Sequence, residues 1–209
     1  MHVTLAIEAP SLADYERALP DGWSSFPQCE AKATLVRTLA TDPSLRRDEL
    51  PAALREVLDD PPPVTAWVPE VHVVGMLVAV HHEHARAGNA AAFLEWMAER
   101  NRELLGGAAY APMLRASTSE KLVKNIATAW ERLHRGTELA MRGEVERDGS
   151  EHTAALMLDA PPGLYPSISS HIHGISFRVL LEAAGGRDVR VRHVVHRPGH
   201  TEYLLAWTG

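Results

Sequence analysis

The sequence predicts an α+β fold, with helices packed on one antiparallel sheet in the order helical half, then β-β-α-β-β, behind a short N-terminal extension. Three observations carry that expectation. Apolar residues recur at helical spacing along most of the chain as far as Gly136. Beyond it the alternation falls to period two on either side of one further helical stretch. The dipeptides Asp148-Gly149 and Pro198-Gly199 sit between two such alternating runs, where a hairpin needs its turn.

Each element follows from local signals. Val3 to Ile7 reads as a short strand, and Ser11 as the N-cap of a small helix running to Leu19. "LPDGWSSFPQ" at 19–28 breaks the pattern, which sets an extension over 1–27 apart from a single domain over 28–209. Helices are expected at 30–41 and 48–58, the second opened by Asp48 with Pro51 in its first turn. Three consecutive prolines in "DDPPPVTAWVP" forbid a helix and favour extended chain. A helical region over 70–105 is interrupted at Gly88-Asn89. Ser117 and Glu120 form a capping-box pattern, after which Leu122, Ile126, Trp130 and Leu133 share one helical face. "GEVERDG" and "HTAALMLD" form the first hairpin. A helix carrying Ile168, Ile172, Ile175 and Val179 on one face then ends at Gly185-Gly186. "VRVRHVVH" and "TEYLLAW" make the second hairpin.

Composition narrows the classes. The chain has 209 residues, 45% hydrophobic and 23% charged, an ordinary globular balance. A net charge of −6 gives no broad basic footprint for nucleic acid. Cys29 is the only cysteine, which excludes an intrachain disulfide and a thiolate zinc site and points to a reducing, cytoplasmic compartment. The N-terminus lacks the basic and apolar regions of a secretory signal, and the longest apolar run, Val73 to Val80, is too short to span a bilayer. G-x-S-x-G, G-x-G-x-x-G, the phosphate loop and H-E-x-x-H are all absent.

The stretches "CEAKATLVRTL", "LPAALREVL", "WVPEVHVVGMLVAV", "LHRGTEL" and "HGISFRVLLEAAGGRDVRVRHVVHRPGHTEYLLAW" resemble a family of unknown function found mainly in myxobacteria. That family is similar to the 4-vinyl-reductase domains, the TRAPP tethering-complex subunits and the haem nitric-oxide-binding domains. The resemblance spans about residues 28–207 and rests on element order and scattered residues, among them Gly174, Gly185, Asp188, Gly199, Tyr203 and Trp207. It implies a hydrophobic pocket between helices and sheet, used by relatives for haem, a tetrapyrrole-like ligand or an acyl chain, and it implies a homodimer. Two departures stand out. Where 4-vinyl-reductase relatives often place cysteines around the last turn, this chain has His196, Gly199 and His200. Where haem nitric-oxide sensors carry Tyr-x-Ser-x-Arg, it has Tyr165-Pro-Ser167-Ile-Ser169, without the arginine.

The twelve histidines are the candidate chemistry. His81 and His84 stand at i and i+3, a spacing that lets two imidazoles share a metal, and His84 lies over Leu77 and Val80 inside the apolar stripe. His171 flanks the Ile168, Ile172 and Ile175 stripe, facing a pocket, while His173 turns outward. His196 and His200 flank the last turn with Glu202 as nearest third ligand. Each also has a plain reading, as a core-edge or turn histidine satisfied by its neighbours. The sequence favours a non-catalytic domain that binds a hydrophobic small molecule or a partner protein, acting as sensor, carrier or adaptor. Its expected ligand-binding residues are His171, His84, Ile168, Ile175, Trp130 and Leu77, with His196 and His200 as the metal candidates. Two alternatives remain open: a haem or divalent-metal sensor using pocket histidines, and an enzyme with a histidine as general acid or base.

Overall fold

The computed structural model describes residues 10–43, 45–88, 90–107, 110–111, 114 and 117–209. The strand expected at Val3 to Ile7 and the cap expected at Asn89 lie outside them. The architecture is α+β, as the sequence predicts. Helix α1 (Leu12–Ala18) opens on a capping box in which Ser11 Oγ accepts from Asp14 N at 3.1 Å. Its Tyr15 and Leu19 are buried in the main helical core, and the Tyr15 hydroxyl donates to the Leu164 carbonyl at 2.8 Å.

The helix expected over 30–41 starts three residues later. Strand β1 (Glu30–Lys32) precedes α2 (Ala33–Ala40) because Glu30 to Lys32 find two partners. It pairs antiparallel with β2 (Trp67–Pro69) on one side and β3 (His134–Arg135) on the other. Trp67 lies between two cations on this small sheet, with Lys32 Nζ 3.8 Å and the Arg135 guanidinium 3.9 Å from its ring. Helix α3 (Ala52–Asp59) has Pro51 at its N-cap, after a separate 3₁₀ turn over Arg47–Glu49 that takes up Asp48.

Helices α4 (Glu70–Arg86) and α5 (Ala90–Gly106) form a hairpin, turning at Gly88 with φ +73°. Pro69 caps α4 and Glu70 occupies its first turn, where the helix dipole favours a negative charge. The helix expected after Ser117 is capped one residue later, by Thr118 Oγ1 accepting from Lys121 N at 3.2 Å. Asn125 divides it into α6 (Ser119–Lys124) and α7 (Ile126–Glu131).

The larger sheet has strand order β4-β5-β7-β6, all neighbours antiparallel. It comprises β4 (Glu138–Asp148), β5 (Glu151–Asp159), β6 (Arg187–Arg197) and β7 (His200–Thr208). Alternation in β5 buries His152, Ala154, Leu156 and Leu158; in β7 it buries Thr201, Tyr203, Leu205 and Trp207. Helix α8 (Ser167–Ala183) covers that face. Gly199 is fixed by its surroundings. Its φ is +81°, and a Cβ there would stand 2.2 Å from the Ala160 carbonyl oxygen.

Two hydrophobic cores result. One gathers α1 to α5 and includes Ile168 and Ile172; the other gathers α6, α7 and the sheet and includes Phe177 and Leu181. Helix α8 contributes to both. Among the described residues, no helix is long and apolar enough to cross a membrane.

Gly75 marks the tightest packing in the helical core. A Cβ on it would lie 2.5 and 2.8 Å from atoms of the Trp23 ring and 3.1 Å from Leu54. The Gly75→Ala variant is therefore expected to lose roughly 1–3 kcal/mol, as overpacking does. Urea unfolding checks this, and adding Trp23→Leu should recover part of the loss; an unchanged midpoint for Gly75→Ala would show that the contact is soft.

Candidate functional site

A cavity of about 410 Å³ lies in the seam between the two cores. Its walls come from α2, α4, α5, α7 and α8, with Leu77, Met97, Leu104, Ile126, Phe177 and Leu180 among the apolar residues. The sequence anticipates the α4, α7 and α8 walls. The α2 wall, with Leu35 and Leu39, and the α5 wall, with Trp96, Met97, Arg100, Asn101, Leu104 and Leu105, are the ones sequence reasoning misses. The strands contribute little lining. His134, on β3, is the strand residue that reaches the cavity among the described residues.

The polar end of the cavity is built around Glu70, which is 2% exposed. His134 Nδ1 lies 3.1 Å from both carboxylate oxygens, and the Tyr165 hydroxyl donates to Oε1 at 3.1 Å. Trp130 stacks on the His134 ring with centroids 3.9 Å apart and planes 16° apart, and its indole N–H donates to Thr137 Oγ1 at 3.0 Å. His173 lines the cavity beside them, with its ring edge-on to Tyr165 and Trp130 and its Nδ1 3.2 Å from the Tyr203 hydroxyl.

Burial governs the titration of these groups. Desolvation pushes His173 down to about 3, helped by the neighbouring His134 and His193, so its imidazole is neutral near pH 7. Desolvation followed by the Glu70 charge lifts the Tyr165 phenol well above its ordinary value, which keeps it a donor. The same two causes raise the Cys29 thiol to about 11. Cys29 is fully buried, and its sulfur lies 3.3 Å from the Gly136 carbonyl.

The structure reverses the two faces of α8. His173 lines the cavity, whereas His171 stands against His193, with ring centroids 4.6 Å apart. The wheel misleads because Ile168 and Ile172 serve the helical core, and the cavity opens beside that stripe rather than under it. Leu77 and Trp130 line the cavity. Ile168 is sealed in the core, and Ile175 packs at its edge. His84 lies outside the lining, its ring against Phe93 and Trp96 at 5.9 and 6.2 Å.

His196 and His200 sit 5.8 Å apart at the hairpin end, each taken by a carboxylate. His196 Nε2 is 3.0 Å from Glu202 Oε2, and His200 Nδ1 binds Asp159. Among the described residues, no group of three or more His, Cys, Asp or Glu has the geometry to hold a metal ion. Glu70, His134 and Tyr165 lie far apart in the sequence, and no single stretch signals their meeting.

No protein-family model matches the chain, and no curated protein matches it. Solved structures do. An oxygen-binding H-NOX domain related to soluble guanylate cyclases, in its oxygen complex, aligns with a TM-score of 0.50 and 13% identity, over 85% of this chain and 94% of its own. An H-NOX mutant carrying 4-cyano-L-phenylalanine aligns at 0.49 and 13%, over 85% and 95%. A haem protein studied for redox modulation by porphyrin distortion aligns at 0.48 and 14%, over 85% and 99%. At this identity the likeness to the first is one of fold: the chain has an H-NOX-like α+β architecture.

Two outcomes follow from the site. Replacing Glu70 by Leu orphans the His134 and Tyr165 donors, at a cost of about 1–3 kcal/mol each, while Glu70→Gln keeps an acceptor and costs less. Chemical unfolding of both variants checks the order; equal stability of the two would refute it. Acid sensitivity comes from His173 and from His81, which desolvation lowers to about 4. Above the free-imidazole value of 6.5 both groups are neutral folded and unfolded, so neither penalises the fold. Below it the unfolded chain takes up protons that the fold refuses. Stability then falls by roughly 1.4 kcal/mol per pH unit for each histidine, down toward the folded values. Urea midpoints at pH 7.5, 6 and 5 should show this slope, and a His81→Leu/His173→Gln variant should reduce it, leaving the contributions of His72, His171 and His193, which burial also lowers.

Proposed function

We propose that this chain is a non-catalytic small-molecule-binding domain, a sensor or carrier whose ligand occupies the cavity between the two cores. The carrying observation is the cavity itself: about 410 Å³, walled mainly by apolar side chains, with the polar Glu70, His134 and Tyr165 cluster at one end. That volume falls within the roughly 300–1,000 Å³ typical of small-molecule sites, and a few oriented polar groups in an apolar wall are their usual composition. A neutral apolar fluorophore, N-phenyl-1-naphthylamine, should bind with a blue-shifted emission. The Leu77→Trp variant, which fills the cavity, should abolish that signal while leaving the far-ultraviolet circular dichroism unchanged. Identical binding by the variant would place the fluorophore elsewhere and remove the support.

A second reading, a haem-binding sensor, is favoured by one specific feature. His134 has its Nδ1 on a buried carboxylate, the support that orients an imidazole for metal ligation through Nε2. A haem taken up here would supply ligand-binding iron, with His134 as the residue to hold it. The fit is incomplete at the other side of such a group. Ser169, in place of the arginine of the Tyr-x-Ser-x-Arg pattern, lines the cavity without a charge, and Arg100 and Arg132 are the cations on the wall. Titration with hemin separates the readings: a Soret shift lost in His134→Ala supports haem, and an unshifted spectrum removes it.

A further inference from the structure

We propose that the cavity takes an apolar monocarboxylic acid, with its carboxylate held by Arg100; this rests on the binding-domain reading above. Arg100 lies on α5 and lines the cavity. One terminal nitrogen, Nη1, is engaged by Glu103 at 2.8 Å on the solvent side. Its Nε is buried and finds no partner. A guanidinium N–H removed from water with no acceptor is a costly arrangement, and it points to an acceptor supplied from outside the chain.

The shape of what remains specifies that acceptor. With Nη1 engaged, the guanidinium offers its Nε–Nη2 edge, a planar fork of two parallel donors that matches the two oxygens of one carboxylate. Asn101, the next residue on α5, also lines the cavity, and its amide N–H donates to Ser176 Oγ at 3.0 Å. Ser176 in turn donates to the Ile172 carbonyl at 3.0 Å, so the amide and hydroxyl beside Arg100 are held in place.

The rest of the wall sets the ligand's body. Ser176 is seven residues beyond Ser169 on α8, or about 10 Å of helix. Leu77, Met97, Ile172 and Phe177 line the same space as Arg100 and Glu70. Glu70 itself does not compete for Arg100, because His134 and Tyr165 already occupy its oxygens. A ligand with an anionic head and an apolar body of about that length matches the guanidinium edge and the apolar wall. A neutral molecule of the same size leaves the guanidinium edge unmatched.

Isothermal titration with octanoate, 1-octanol and octylamine tests this on the intact chain at pH 7.5. Octanoate is expected to bind roughly ten-fold or more tighter than 1-octanol, the difference that a charge-assisted pair confers, and octylamine more weakly than either. Arg100→Gln should reduce octanoate affinity by a similar factor, leave 1-octanol within about two-fold, and keep the wild-type melting temperature. Arg100→Lys, which retains the charge without the planar fork, should fall between. Equal binding of octanoate and 1-octanol, or octanoate binding indifferent to Arg100→Gln, overturns the carboxylate assignment while leaving the cavity reading intact. Binding of none of the three overturns the assignment too. N-phenyl-1-naphthylamine then decides whether the cavity reading falls with it.

Discussion

Glu70 is the buried charge on which three elements of the fold converge. Its carboxylate is buried at the first turn of α4, and its backbone N–H donates to the Cys29 carbonyl at 2.9 Å, which fixes α4 to the small sheet. Its oxygens reach His134 on that sheet and Tyr165 at the entry to α8. A buried carboxylate is tolerated only where donors surround it, and here the helix dipole adds to the two side chains. Losing any one partner leaves a polar group stranded in apolar surroundings. The cluster therefore fixes the relative position of α4, β3 and α8, and with it the geometry of the cavity's polar end.

The cavity follows from how α8 is shared. Its early residues Ile168 and Ile172 pack with the helical core, and its later residues Phe177 and Leu181 pack with the sheet. The cavity lies along α8 where it passes from one core to the other. Polar lining residues, Asn101, Ser169, Ser176 and His173 among them, keep this seam from being a dry apolar void. Hydrogen bonds such as Asn101 to Ser176 hold α5 to α8 across the gap without filling it.

Much of the architecture was legible in the sequence because its signals are local. The alternation of β5 and β7, the Pro198-Gly199 turn and the Ser11 cap each depend on neighbouring residues and appear where expected, while the first hairpin turns one residue late, at Gly149-Ser150. The three-residue strand β1 was read as the start of a helix, and β2 only as extended chain, since a segment that short is defined as a strand by its partner rather than its own pattern. The site was legible only in part. Leu77 and Trp130 fall on apolar stripes that do reach the cavity. His171 and His173 differ by two positions, and only the tertiary position of α8 decides which of them faces inward. Glu70 and Arg100 gave no periodic signal at all, because a buried charge in a helix looks from the sequence like any solvated one.

The protonation states of the buried groups bear on whether such a cavity would bind or transform its contents. General acid–base catalysis works best when a group can exchange its proton near the operating pH. His173 is depressed to about 3, Cys29 raised to about 11, and Tyr165 raised well above its ordinary range. Each keeps one protonation state across the neutral range: a neutral imidazole, a thiol and a phenol. Groups fixed in this way make a constant pattern of donors and acceptors, the requirement for recognising a ligand. They are poorly matched to passing a proton to and fro.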